Sequence, residues 1–266
     1  MKIDYRETTN DLLKRIDIHT QFGSGNIDEW MLNIIDLKPG MKILDVGCGA
    51  GKQCFSYHSY LSGKADITGG DVNDELLAQA RKENEKRQTD INFIDLNFNQ
   101  EFPLESNQYD FESCCFAIYY AEEIPFTIRE MHRVLKPGGR LFSSGPMPDN
   151  KRMFYDVITE ATGLEIPPMP GSSRYSTQIL DAMKNTFSKV DVHVFENALT
   201  FPTIDPFIAY TRASLTEDRK LWNSFFNNKD DFERIMSEIT KVAQKRLDKD
   251  GKLVMTKVVG GFIATK

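Results

Sequence analysis

Cysteine is scarce in this 266-residue chain and forms no pattern. Its four cysteines, Cys48, Cys54, Cys114 and Cys115, make no C-x-x-C pair, so neither a disulfide framework nor a zinc site is indicated. No metal is expected, and the reduced thiols suit the cytoplasm. An excess of basic residues is missing as well. Lys plus Arg number 33 against 39 Asp plus Glu, a net charge of −6. No broad cationic field exists to release counterions, so no nucleic-acid partner is expected. No apolar run approaches the ~20 residues of a membrane span. The opening MKIDYRETTNDLLKR is too polar and acidic for a signal peptide. Internal repeats and low-complexity tracts are also absent. The length suits one large domain, or one domain with a lid.

What the chain does have is concentrated in Ile43-Leu44-Asp45-Val46-Gly47-Cys48-Gly49-Ala50-Gly51. An apolar run broken by one acid gives way to glycine at every second position. This predicts a buried strand entering a loop nearly free of side chains. A ligand can lie against such a backbone, because glycine has no Cβ and tolerates φ > 0. The loop N–H groups and the following helix N-terminus favour electron-rich parts of a ligand. Dinucleotide sites call for G-x-G-x-x-G. Here the third glycine, Gly51, comes one position early, and Lys52 stands at the dinucleotide position. That spacing weighs against a nicotinamide-dependent oxidoreductase.

The run resembles the first motif, D-x-G-x-G-x-G, of the class I (Rossmann-like) S-adenosylmethionine-dependent methyltransferases. Three further segments strengthen the likeness. Ile67 to Asp71 (ITGGD) is similar to the second strand with its ribose-binding acid. Phe93 to Leu96 (FIDL) is similar to the end of the third strand, where an Asp meets the adenine amine. Arg133 to Gly139 (RVLKPGG) resembles the helix-to-strand turn of small-molecule enzymes of this class, including those of ubiquinone and menaquinone biosynthesis. The likeness covers roughly residues 26 to 145. It implies an α/β fold with a doubly wound, seven-stranded, mostly parallel sheet. It implies S-adenosyl-L-methionine as cofactor and a small-molecule methyl acceptor as partner, the protein being a monomer or homodimer. The cofactor-binding residues it implies are Asp45, Gly47, Cys48, Gly49, Gly51, Gln53, Asp71, Val72, Asp95, Leu96, Asn97, Cys115 and Phe116. A non-catalytic protein that keeps the fold is the alternative, and the intact loop and acids weigh against it.

Periodicity along the chain agrees with alternating strands and helices. Residues 1–25 form an N-terminal arm with a short helix near 10–18. A helix capped by Asn26 or Asp28 carries Ile27, Trp30, Met31, Ile34 and Ile35 on one face. Strands are predicted near 67–71, 91–95, 109–116 and 140–145. Asn73 or Asp74 caps a helix with Leu76, Leu77 and Ala80 inward, and another helix spans 123–135. After Pro146 a proline-rich excursion to residue 175 interrupts the pattern, with one helical stretch near 151–161. A helix near 176–187 and a strand from Val190 to Phe195 follow. Helices near 205–214, 217–226 and 230–248 would form a lid, residues 201–252, inserted before the last strand. Leu253 to Thr265 is that strand, bulged at Gly260-Gly261. Residues 26–200 and 253–266 would make the cofactor domain.

Candidate catalytic residues follow from the carboxyl end of the fourth strand. In doubly wound sheets ligands bind beyond those ends. One of Tyr119 and Tyr120 should therefore face the transferable methyl, walling the site or hydrogen-bonding the acceptor, or else the two simply fill a loop. Asp45 can hold the glycine loop and meet a cationic group. His19 on the arm is a candidate base, or a cap. His132 is expected at the surface. Arg174, with Lys151 and Arg152, would bind an anionic acceptor or remain solvated. The acceptor is expected between the fourth strand, residues 146–175 and residues 205–248.

Overall fold

A computed structural model describes residues 9–166, 169–215 and 229–266. The predicted helix at 217–226, and with it Trp222, Phe225 and Phe226, lies outside the described residues. Two compact units emerge. One comprises residues 28–148, 170–194 and 259–266; the other comprises 1–27, 149–169 and 195–258.

The first of these carries the sheet. Its strands are β1 (Lys42–Val46), β2 (Asp66–Asp71), β3 (Asn92–Asp95), β4 (Tyr109–Cys115), β5 (Leu135–Pro146), β6 (Lys189–Phe201) and β7 (Leu253–Thr265), the last two running on into the second unit. The order is β3-β2-β1-β4-β5-β7-β6. Neighbours from β3 to β5 are parallel, and β7 runs antiparallel to β5. Sequence order reverses between β1 and β4, and at such a switch point a crevice opens beyond the strand ends. This is the expected doubly wound, seven-stranded, mostly parallel sheet.

Helices α2 (Ile27–Ile35), α3 (Lys52–Tyr60), α4 (Asp74–Arg87) and α5 (Ile124–Val134) come between or before these strands. Asn73 caps α4 by accepting from the backbone of Glu75 and Leu76, at 3.0 and 3.1 Å. Two adjoining segments, Pro170–Arg174 and Leu180–Thr186, are joined by a π-helical turn at Tyr175–Ile179. The helix thus starts earlier than the predicted 176. Its buried Ile179, Ala182, Met183 and Phe187 join Leu44, Val46, Cys114, Ile128 and Met131 in one core. His132 is half-buried rather than exposed, edge-on to Phe187 at 5.1 Å, and burial lowers its pKa.

Strand β5 begins at Leu135, before the predicted 140, because Leu135 pairs with Tyr109 ahead of a register shift. The bulge predicted at Gly260-Gly261 does not form: Ser144 pairs with Gly261 and Gly145 with Gly260 in unbroken register. Packing explains these glycines instead. A Cβ on Gly145 would lie 2.6 Å from the Tyr175 ring, and one on Gly260 would lie 2.7 Å from Met147 Sδ. Tyr175 lies flat on Phe262, with centroids 4.4 Å apart, and its hydroxyl donates to the Ser143 carbonyl at 2.7 Å.

The second unit is mainly helical. It holds α1 (Thr9–Phe22), α6 (Arg152–Thr162), α9 (Ile204–Leu215) and α10 (Lys229–Asp250), Pro170–Arg174 and Leu180–Thr186 of the first unit being α7 and α8. Phe154, Val157, Ile158, Phe207, Tyr210, Ile235, Met236 and Ile239 form its core, with Leu199, Phe201, Leu253 and Met255 from the strand ends. Strand β6 is longer than the predicted Val190–Phe195, and its extension supplies those apolar residues. No described helix is long and apolar enough to cross a membrane.

Candidate functional site

The glycine loop follows β1 as its sequence requires. Gly47, Gly49 and Gly51 take φ of 71°, 54° and 82°. All three lie in the left-handed region, which costs an L-residue ~1–2 kcal/mol. Packing excludes a side chain at two of them. A Cβ on Gly47 would sit 2.6 Å from Ala117 Cβ, and one on Gly51 would sit 2.9 Å from the rings of Phe55 and Phe93. Gly49 differs: its Cβ would meet only Leu76 Cδ1, at 3.9 Å. The loop is therefore tied down at both ends and open in the middle.

Asp71 ends β2, paired in register with Asp95 at the end of β3. One Asp71 carboxylate oxygen accepts from the Gly49 N–H at 2.8 Å, and the other from the Asn73 N–H at 2.9 Å. Each oxygen has a second lone pair for a ligand hydroxyl. Next to it, Val72 is 61% exposed. Asp95 is exposed, Leu96 is buried, and the half-buried Asn97 accepts from the Asn99 N–H at 3.0 Å. Gln53 is half-buried in the first turn of α3.

Asp45 is placed differently from the expectation that it meets a cationic group. It is 1% exposed. Its oxygens accept from Ser113 Oγ at 2.6 Å and from Cys54 Sγ at 3.6 Å. It supports the loop from beneath by joining β1 to β4 and α3. Burial raises its pKa to about 7. Cys48 is buried beside Cys54, whose thiol is raised first by its contact with Cys48 and then by burial. Burial pushes the Cys115 thiol up to about 12. Cys54 and Cys115 are thus neutral near pH 7, which argues against either as a thiolate nucleophile.

Beyond β4 the backbone is strained. Phe116 holds φ of 56° while its side chain is 37% exposed, and its N–H donates to Ser144 O at 2.8 Å. A bulky residue in this region is an outlier of the kind found at functional sites. Spacing alone did not signal it. Phe116 and Val72 are thus exposed apolar side chains at the ends of β4 and β2. Tyr119 and Tyr120 follow in a 3-10 turn, Ile118–Tyr120, with rings 4.7 Å apart. A Cβ on Gly171 would lie 3.5 Å from the Tyr119 ring. Arg174 donates through Nη2 to the Ala121 carbonyl at 2.6 Å. One unit therefore gathers the glycine loop, Asp71, Asp95, Phe116, both tyrosines and Arg174. His19, Lys151 and Arg152 belong to the other unit. There the His19 ring stacks on Tyr210 at 5.8 Å, and Lys151 Nζ lies 5.5 Å from the Phe154 ring centroid. Among the described residues no His, Cys, Asp and Glu cluster could hold a metal.

Residues 43–139 match a family described as a methyltransferase domain. A ubiquinone/menaquinone biosynthesis C-methyltransferase of Shewanella sediminis is 27% identical over 173 residues, covering 63% of this chain and 66% of that protein. The match thus spans just under two-thirds of the relative's own length. A phosphoethanolamine N-methyltransferase of Haemonchus contortus, solved in complex with S-adenosyl-L-methionine, superimposes with a TM-score of 0.56 at 17% identity. It covers 97% of this chain and 57% of that one. The YcgJ protein of Bacillus subtilis gives a TM-score of 0.58 at 12% identity, covering 90% and 97%. The two structural likenesses concern the fold.

Proposed function

We propose that this chain, a class I, Rossmann-like methyltransferase similar to the ubiquinone and menaquinone biosynthesis group, moves a methyl group from S-adenosyl-L-methionine to a small-molecule acceptor by in-line displacement. The carrying observation is the loop anchored to Asp71 with the Gly49 face left open. The residues fit this cofactor. Asp71 offers paired acceptors for a ribose diol. Val72, Leu96 and the Asp95–Asn97 stretch would border the adenine. The exposed Phe116 ring and Cys115 would border the methionine portion. Bound there, S-adenosyl-L-methionine supplies a sulfonium methyl already activated for transfer.

The protein's task is then alignment. Good orientation removes ~7–11 kcal/mol of the barrier. The left-handed glycines hold the loop backbone in place before binding. Asp45 fixes its lower side through Ser113 and Cys54. Tyr119 and Tyr120 stand after β4, where they wall the acceptor or hydrogen-bond its nucleophilic O, N or C-bearing group. No histidine belongs to this cluster among the described residues, so a tyrosine hydroxyl is the group we place nearest a departing proton. The reduced cysteines suit a cytoplasmic setting.

The activity is tested with deuterated-methyl S-adenosyl-L-methionine and a small-molecule extract, read by mass spectrometry. A product gaining one labelled methyl is expected with the wild-type protein. Tyr119→Phe or Tyr120→Phe should lower its yield while S-adenosylhomocysteine affinity stays within about twofold, since ~0.4 kcal/mol separates twofold changes. Full yield from both variants would remove the tyrosine hydroxyls from the reaction.

A further inference from the structure

Arg174 stands out among the cations of the sheet-bearing unit. Its Nη2 is held by the Ala121 carbonyl, one residue after Tyr120. Among the described residues its side chain makes that one hydrogen bond and no ion pair. The chain as a whole has six more acidic than basic side chains, so carboxylate partners are not in short supply. Arg174 is half-buried, which limits its solvation. A guanidinium presents its remaining N–H groups as a rigid fork that matches a carboxylate or phosphate.

The backbone next to Arg174 is itself unusual. Immediately after Arg174 the helix widens into the π-helical turn Tyr175–Ile179. Such turns occur often at functional sites. Tyr175 locks the turn by donating to Ser143 O and stacking on Phe262. Arg174 is thus held from both sides, by β5 and β7 through Tyr175 and by the tyrosine turn through Ala121. Gly171, one helical turn earlier, packs beside the Tyr119 ring and Pro146, where an added Cβ would make ordinary contacts at 3.5 and 3.8 Å.

We infer that Arg174 is a specificity-determining residue that binds an anionic group, a carboxylate or a phosphate, on the methyl acceptor. This rests on the methyl-transfer reading above. The acceptor would place an apolar or ring-bearing part against Tyr119 and Tyr120 and its oxyanion on the Arg174 fork. Pre-orientation by Ala121 reduces the entropy lost on binding.

The test uses the full chain saturated with S-adenosylhomocysteine, titrated with benzoate, phenyl phosphate and the neutral benzamide. The wild-type protein should prefer at least one anion over benzamide by about tenfold or more, as expected for a charge-assisted hydrogen bond. The stronger anion identifies which oxyanion the site takes. Arg174→Gln should abolish the preference, and Arg174→Lys should keep only part of it, with S-adenosylhomocysteine affinity unchanged in both. Preference retained in Arg174→Gln, or absent from the wild-type protein, would overturn the inference. If Arg174→Gln does not fold, Arg174→Lys decides: undiminished preference there overturns the fork geometry. Failure of the wild-type protein to bind S-adenosylhomocysteine is a separate outcome, and it would overturn the methyl-transfer reading itself.

Discussion

Gly49 separates what the fold requires from what a ligand requires. At φ of 54° an alanine is strained, yet its Cβ would meet only Leu76 Cδ1 at 3.9 Å, an ordinary contact. Gly49→Ala should therefore cost only the left-handed strain, ~1–2 kcal/mol. Gly51→Ala carries the same kind of strain at φ of 82° and must also displace the Phe55 and Phe93 rings from 2.9 Å. Overpacking adds ~1–3 kcal/mol, so that variant should lose ~2–5 kcal/mol. Binding should rank the other way relative to stability. The new methyl on Gly49 occupies the face against which the cofactor lies, so S-adenosylhomocysteine should bind at least about tenfold more weakly, ~1.4 kcal/mol. Urea unfolding gives the stabilities and calorimetry gives the affinities. Wild-type affinity in Gly49→Ala would mean that the ligand does not approach the loop there. Equal destabilisation of the two variants would refute the packing argument.

Two further substitutions probe the acids. Asp71→Ala removes both the Gly49 anchor and the proposed ribose acceptor. Hydrogen bonds to charged groups contribute ~1.5–3 kcal/mol, so calorimetry should show S-adenosylhomocysteine affinity falling by about tenfold or more, with Asp71→Asn intermediate. Unchanged affinity in Asp71→Ala would place the ribose elsewhere. Asp45 contributes to the pH dependence of stability. Its folded pKa of about 7 lies above the ordinary 3.8, so the folded state keeps a proton that the unfolded chain releases. Its contribution is therefore fully present below about pH 4 and falls as pH rises towards 7, by on the order of 4 kcal/mol in all. Asp45→Asn should flatten that slope, read as the change in urea midpoint between pH 5 and pH 8. An identical slope in both proteins would show that Asp45 does not titrate in this window.

The sheet was legible because its signals are local. The apolar run into the glycines, the Asn73 cap and the alternation through Val190–Phe195 each depend on residues close in sequence. What stayed hidden depends on contacts across the chain. Gly260 and Gly261 read as a bulge, but they are small because Met147, Tyr175, Trp30 and Phe142 press on the strand. The excursion after β5 packs its Phe154 and Val157 with Phe207 and Ile239, partners far along the chain. Asp45 reads as a ligand contact from its motif, yet the strand pleat turns it towards Ser113, its partner across the sheet. Glu112 gives no sequence signal either. It is 0% exposed in β4, and burial raises its pKa well above the usual carboxylate range. In the site itself, the glycines, Asp71 and Phe116 could be read directly, whereas the left-handed backbone of Phe116 and the single hydrogen bond of Arg174 required the fold.

Comparing the binding of S-adenosylhomocysteine and NADH tests the central claim most directly. The wild-type chain is titrated with S-adenosylhomocysteine and, separately, with NADH, each followed by calorimetry. The glycine spacing, with Gly51 early and Lys52 at the third dinucleotide position, predicts saturable binding of S-adenosylhomocysteine at one site per chain and none of NADH. Saturable NADH binding without S-adenosylhomocysteine binding would contradict the account.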